Sequence, residues 1–277
     1  MTERVILITG ASSGMGYAAT KLFAQHGWVV YAGARRVEKI PTGRDIHPLK
    51  LDVTDADSRQ AYVEAALAGS HQIDVLLNNA GYGEFGPLEE VPLEKVEKQL
   101  NTNLVGASEL TKLVLPTMRQ QQSGRIINNS SIGGDIYSPL GSWYYVTKHS
   151  LNVWSDVLDT EIRQFGLRSL VIEPGGTESS WADIAMKNAL NNLQPGSPYT
   201  KLVKETEQAL SGFLNASSAT SDDLAKVFYR AATDRHPKRR YFYAISDQLI
   251  SGVARTFPGA YHKVMTVLTD HLTKSRD

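Results

Sequence analysis

Tyr144 and Lys148 stand four residues apart in the run Ser142-Trp143-Tyr144-Tyr145-Val146-Thr147-Lys148. On a helix that step puts both on one face, a turn apart. An ammonium beside a phenol stabilises the phenolate. The phenol pKa is therefore expected to fall toward the working range of an acid/base catalyst. Ser131, upstream, could aim a hydroxyl at the same point. Taken alone, Tyr-x-x-x-Lys is a common helical spacing, so its surroundings decide whether the pair is chemical.

Those surroundings read as an alternation of strands and helices. Arg125-Ile126-Ile127-Asn128-Asn129 is a short apolar run, expected as a buried strand of a parallel sheet. Ser130-Ser131-Ile132-Gly133-Gly134 breaks it, and a helical pattern holds from about Tyr144 to Phe165. Val5-Ile6-Leu7-Ile8 is a first central strand, followed by Thr9-Gly10-Ala11-Ser12-Ser13-Gly14-Met15-Gly16 and then a helix. Glycines between a buried strand and a helix let the backbone approach a pyrophosphate, and the helix N-terminus offers unpaired N–H groups.

A second strand, 27–33, ends in Ala34-Arg35-Arg36, with Lys39 close behind. An acidic residue at such a strand end binds the 2′-hydroxyl of NAD, whereas an arginine suits a 2′-phosphate. No Asp or Glu precedes Glu38 there, so NADP(H) is favoured over NAD(H). Further strands are expected at 47–53, 73–77, 167–173 and 241–245, and helices at 54–68, 91–100, 107–121 and 221–232. The pattern is that of a doubly wound α/β fold of Rossmann type. Its sheet is mostly parallel and seven-stranded, with helices on both faces.

Residues 1–250 are expected as one such domain. Within it, 177–219 is too long and too loosely patterned for a plain connection, and is expected as a substrate loop or lid. Residues 251–277 read as a helical C-terminal extension of the same domain, broken at Pro258-Gly259.

Composition narrows the function classes. Lys+Arg and Asp+Glu are equal at 29 each, so nothing suggests a nucleic-acid partner or an acidic membrane surface. With no cysteine, disulfides, thiolate metal sites and thiol catalysis are excluded, and no metal site is expected. The chain enters its first strand at once, so no signal peptide is expected, and no apolar run reaches membrane-spanning length. A cytoplasmic protein is expected.

Five pieces stand in order: Thr9-Gly10-x3-Gly14-x-Gly16, Asn78-Asn79-Ala80-Gly81, Asn103 in Asn-Leu-Val-Gly, Ser131, and Tyr144-x3-Lys148. Together they resemble the short-chain dehydrogenase/reductase family over about residues 3–250. The resemblance implies a hydride-transferring oxidoreductase acting between a ketone or aldehyde and an alcohol. In it Tyr144 is the general acid/base and Lys148 holds the nicotinamide ribose. Ser131 binds the carbonyl oxygen, and Asn103 anchors a water that links Lys148 to solvent. It further implies that Gly10, Ser12, Ser13, Met15 and Gly16 hold the phosphates and that Asp52 and Val53 meet the adenine. Asn79, Ala80 and Gly81 line the adenosine side, and Pro174 and Gly175 meet the nicotinamide. Either Thr177 or Ser179 meets the carboxamide.

The serine–tyrosine spacing favours Ser131 over Ser130, and only Tyr144, not Tyr145, keeps the four-residue step to Lys148. The resemblance also implies a homodimer or homotetramer through the apolar side of the Tyr144 helix, made by Val146, Leu151, Val153, Val157 and Leu158. The remaining alternative is a cofactor-binding redox sensor or scaffold without turnover. The expected substrate is a small carbonyl or alcohol with a hydrophobic body.

Overall fold

In the computed structural model, which describes residues 3–178, 181–216 and 219–273, the β-branched runs become one parallel sheet. The strands are β1 (Arg4–Thr9), β2 (Trp28–Ala34), β3 (Ile46–Lys50), β4 (Val75–Asn78), β5 (Gly124–Asn129) and β6 (Leu167–Ile172). Then come β7 (Thr177–Glu178), β8 (Ala219–Thr220) and β9 (Arg240–Tyr241). The main sheet runs β3-β2-β1-β4-β5-β6-β9 with every pairing parallel, as expected for a Rossmann-type domain. Strand order reverses between β1 and β4. A crevice opens at the C-terminal ends of strands at such a point.

The helices are α1 (Gly14–Gln25), α2 (Ala56–Ser70), α3 (Leu93–Leu100), α4 (Gly106–Gln121) and α5 (Ser142–Ile162). They continue with α6 (Trp181–Asn192), α7 (Thr200–Ala216), α8 (Ser221–Thr233), α9 (Ile245–Thr256) and α10 (Pro258–Thr273). Successive side chains of a strand point to opposite faces, so β1 feeds two cores. Ile6 and Ile8 pack with Phe23 of α1 and Phe228 of α8. Val5 and Leu7 pack with Tyr62 of α2, Leu110 of α4 and Ile162 of α5. Each fully buried aliphatic side chain contributes about 1.5–3 kcal/mol. Side-chain caps fix two helix starts: Asp55 accepts from Ser58 N at α2, and Thr220 and Asp223 form a capping box at α8.

Three boundaries differ from expectation. β3 stops at Lys50, leaving Leu51 and Asp52 outside the strand and Val53 in a turn. The last strand covers only Arg240–Tyr241, because β6 offers pairing to just those two residues. Tyr243 and Ile245, expected in that strand, are 48% and 77% exposed, and Ile245 opens α9. The loose 177–219 segment contains α6 and α7, and β7 pairs with β8, so the excursion leaves and rejoins the domain at one place. α9 packs against the turn at 132–134, and α10 packs on α7 and α9.

Candidate active site

The glycine turn is tied to the end of β4 by a threonine and two asparagines. Thr9 Oγ1 accepts from the backbone N–H of both Asn79 and Ala80 at 2.9 Å. Asn79 Nδ2 donates to Thr9 O at 3.0 Å, and Asn129 Nδ2 donates to Asn79 Oδ1 at 2.9 Å. Three strand ends are thereby locked together. The glycines are required by space: Gly10 has φ +70°, and a Cβ on Gly16 would lie 2.3 Å from Gly10 O.

A cleft of about 600 Å³ opens over this turn. Its lining brings together Gly10, Ser12, Ser13, Met15, Arg35, Asp52, Val53, Asn79, Ala80 and Gly81, from four strand ends. Gly16 is buried beneath. A cradle that any Cβ would fill, opening on a roomy cleft, fits a dinucleotide phosphate group. Burial raises the Asp52 pKa, but hydrogen bonds from Thr54 and the Arg35 and Lys98 charges outweigh it and hold the carboxyl below its ordinary value. Tyr82, Lys98 and Trp181 also line the cleft. Tyr144, Lys148, Pro174, Gly175 and Thr177 are not among its lining residues, and Ser179 lies outside the described residues.

The helix and the β5 loop meet beside this cleft. Ser131 stands beside the Tyr144 hydroxyl, close enough to bear on its pKa, and its Oγ donates to Pro174 O at 3.4 Å, whereas Ser130 donates to Lys148 O at 3.3 Å. Tyr145 pairs instead with Ser138 Oγ at 2.7 Å. The two serine–tyrosine choices made on spacing are therefore the ones the geometry brings together. Lys148 Nζ donates to Asn129 O at 2.8 Å. Asn103 sits in a π-helical turn, 101–105. Its side chain accepts from Tyr82 N at 3.0 Å and donates to Tyr82 O at 2.9 Å and to Thr147 Oγ1 at 3.1 Å. Thr177 Oγ1 donates to Gly175 O at 3.3 Å.

One expectation is overturned. The Tyr144 pKa is raised, because burial penalises the phenolate and the Ser131 hydrogen bond offsets this only partly. Lys148 does not depress it in this arrangement. Its Nζ lies 5.8 Å from the Tyr144 ring centroid and is turned to Asn129 O. Burial pushes the Lys148 ammonium itself down to about 8. The phenol is dry because Trp181 and Phe85 pack against it at a tilt, with ring centroids at 4.9 and 5.7 Å.

Phe85, Thr147 and Asn129 take part through tertiary contacts alone. Of these, only Asn129 had a local signal, at the end of a predicted strand. A second cavity, of about 570 Å³, lies at the opposite ends of the strands. Two of its four arginines are committed to the fold: Arg125 binds the Ala231 and Asp234 carbonyls at the end of α8, and Arg168 pairs with Asp159.

A glycine-rich turn at the switch point of a parallel sheet defines a dinucleotide-binding α/β protein. The family model described as short chain dehydrogenase matches residues 4–189, and the chain belongs to that family of oxidoreductases. Among curated relatives, an uncharacterized oxidoreductase of Bacillus subtilis is 33% identical over 251 residues, covering 86% of this chain and 88% of its own. A 3-ketodihydrosphingosine reductase of Bacteroides thetaiotaomicron is 36% identical over 183 residues, covering 66% and 67%. Among solved structures, a short-chain dehydrogenase from Streptomyces avermitilis superposes with a TM-score of 0.79 at 26% identity, covering 95% and 97%. Two more share the fold at lower identity. One from Burkholderia phymatum is in complex with NAD (TM-score 0.79, 21%, covering 93% and 95%). One from Burkholderia cenocepacia is in complex with NADP (TM-score 0.74, 19%, covering 95% and 97%). The family binds a nicotinamide cofactor. No described helix is long and apolar enough to cross a membrane.

Proposed function

We infer that this protein is an NADP(H)-dependent oxidoreductase that interconverts a ketone or aldehyde with an alcohol. The observation that carries the reading is the placement of Ser131 beside the Tyr144 hydroxyl, with Lys148 one helical turn along, next to a cleft floored by the glycine turn. A bound nicotinamide cofactor would supply or accept the hydride. The chain's own residues do the rest. Ser131 donates a hydrogen bond to the substrate oxygen, and Tyr144 Oη delivers the proton to it in reduction or takes it in oxidation. Burial keeps Tyr144 protonated, which suits the reductive direction. Lys148, through Nζ, holds the ribose end. Asn103 fixes the Tyr82 backbone and, through Thr147, the catalytic face of α5, beside which a water can connect Lys148 to solvent.

Gly10, Ser12, Ser13, Met15 and Gly16 hold the phosphates, and Asp52 and Val53 the adenine. Asn79, Ala80 and Gly81 line the adenosine side, while Pro174, Gly175 and Thr177 or Ser179 serve the nicotinamide end. Arg35 is exposed at the cleft beside Asp52, where a 2′-phosphate would sit, and it supports NADP(H) over NAD(H). The substrate side is apolar and aromatic, with Phe85, Leu140, Tyr145, Trp181 and Met186 around Tyr144. A carbonyl compound with a hydrophobic body fits it, in keeping with the name of the Bacteroides relative. Val146, Val153 and Val157 lie exposed on α5, which supports a homodimer or homotetramer through that helix; Leu151 and Leu158 are turned inward. A neutral, cysteine-free chain is in keeping with a cytoplasmic enzyme that binds no nucleic acid.

The test is a panel of ketones and aldehydes with NADPH and NADH side by side. NADPH oxidation on at least one apolar carbonyl is expected. Tight NADPH binding with no oxidation on any carbonyl would favour a redox sensor or scaffold instead.

A further inference from the structure

Helix α9, beyond the motifs read in the sequence, grips both loops that carry the reacting end of the site. Asp247 is 5% exposed and lies against the Gly175 backbone, where a Cβ on Gly175 would come within 2.3 Å of Asp247 Oδ1. Two turns along the same helix, Arg255 Nε donates to Asp135 Oδ1 at 3.1 Å, and its Nη2 also binds Asp135 and lies 3.7 Å from Glu173 Oε2. Asp135 ends the turn that starts at Ser131, and Glu173 directly precedes Pro174. The two loops also meet each other: Ile132 N donates to Pro174 O at 2.9 Å. Glu173 is fully buried, and its Oε2 has no hydrogen-bond partner among the described residues. Around it stand Arg240 of β9 at 3.1 Å, Asn152 of α5 at 3.2 Å, Arg255 and Asp135. Asp156 of α5 pairs with Arg240 and Arg239 behind them.

We propose that Asp247 and Arg255 of α9 are positioning residues for the nicotinamide half of the site. They fix the Pro174–Gly175 loop directly and the Ser131 loop through the buried Asp135 and Glu173 carboxylates. The proposal rests on the dinucleotide reading above. It gives the C-terminal segment a role in the reaction rather than that of an appendage. One guanidinium shared by two buried carboxylates is a strong, geometrically specific tether. Removing it leaves the Asp135 carboxylate without its charged partner and Glu173 held from the β9 side by Arg240, which loosens the tie between the two loops.

The experiment uses the full-length chain with Arg255→Gln, Arg255→Lys and Asp247→Asn. Affinity is measured by fluorescence titration of NADPH and by competition with 2′-phospho-ADP-ribose, which has the adenosine half but no nicotinamide. Arg255→Gln is expected to weaken NADPH about tenfold, the range seen when supporting side chains are removed, while leaving 2′-phospho-ADP-ribose within about twofold. Arg255→Lys should recover part of the loss, and Asp247→Asn, an isosteric change, should show the same selectivity if Arg255→Gln does not fold. Equal weakening of both ligands would show a merely structural role and overturn the proposal. Unchanged binding of both ligands in the variants would also overturn it. Wild-type protein that binds neither ligand would overturn the dinucleotide reading and this clamp with it.

Discussion

The Trp181 indole lies 4.9 Å from the Tyr144 ring, at 51°, and shields the phenol from solvent. Gly83 makes this possible, since a Cβ there would come within 2.9 Å of the indole. Phe85 meets Trp181 edge-on at 5.7 Å, completing an aromatic wall. If this wall limits the access of a carbonyl oxygen to Tyr144, the start of α6 is the element that sets the limit.

Trp181→Ala is therefore expected to lower KM for bulky apolar ketones several-fold while changing kcat less. Stability should fall by about 2 kcal/mol, below the ~3–5 kcal/mol of a fully buried ring, because Trp181 is only half-buried. Steady-state kinetics on a ladder of ketone sizes, with a thermal melt alongside, checks both parts. A uniform drop in kcat across the ladder would show that Trp181 positions the substrate instead of gating it.

Arg35→Ala should weaken NADPH by about 10–100-fold and leave NADH nearly unchanged, because a charged hydrogen bond to phosphate is worth about 1.5–3 kcal/mol. Paired titrations with the two cofactors check this. Equal loss for both would place the 2′-phosphate elsewhere, on Arg36 or Lys98.

The motifs that sequence reading found are contiguous. The glycine turn, Asn78-Asn79-Ala80-Gly81 and Tyr144-x3-Lys148 each lie within one turn or one strand end, so their spacing is visible in the chain. The central strands were legible for the same reason, as short β-branched runs. What was not legible depends on tertiary burial. The spacing of Tyr144 and Lys148 suggested a lowered phenol pKa, but Trp181 and Phe85, remote in sequence, desolvate the phenol and reverse the sign. The Asp135–Glu173–Arg255 cluster joins three separated segments and carries no local signature. Tyr241 to Ile245 has strand composition, yet only two of its neighbourhood's residues find a pairing edge.

Glu173 provides a pH signature. Burial first, and then the adjacent Asp135 charge, raise its carboxyl from the ordinary 4.5 to about 8, against the pull of Arg240 and Arg255. A raised pKa means the folded state holds the proton more tightly than the unfolded one. The stability it gives is complete below about pH 4.5 and is lost as pH rises through about 8. Glu173→Gln cannot ionise, so it escapes that loss. Thermal melts from pH 6 to 9 should show the variant gaining on wild type as pH rises. A constant difference between the two would mean that Glu173 is already ionised at pH 6.

The central claim is that Tyr144 moves the proton. NADPH oxidation by Tyr144→Phe, on whichever carbonyl the wild type reduces best, tests it most directly, with NADPH affinity measured on the same protein. Turnover is expected to fall by at least ~10²–10⁴-fold, the contribution of a positioned acid, with NADPH affinity within about twofold of wild type. Turnover equal to that of the wild type would contradict the assignment.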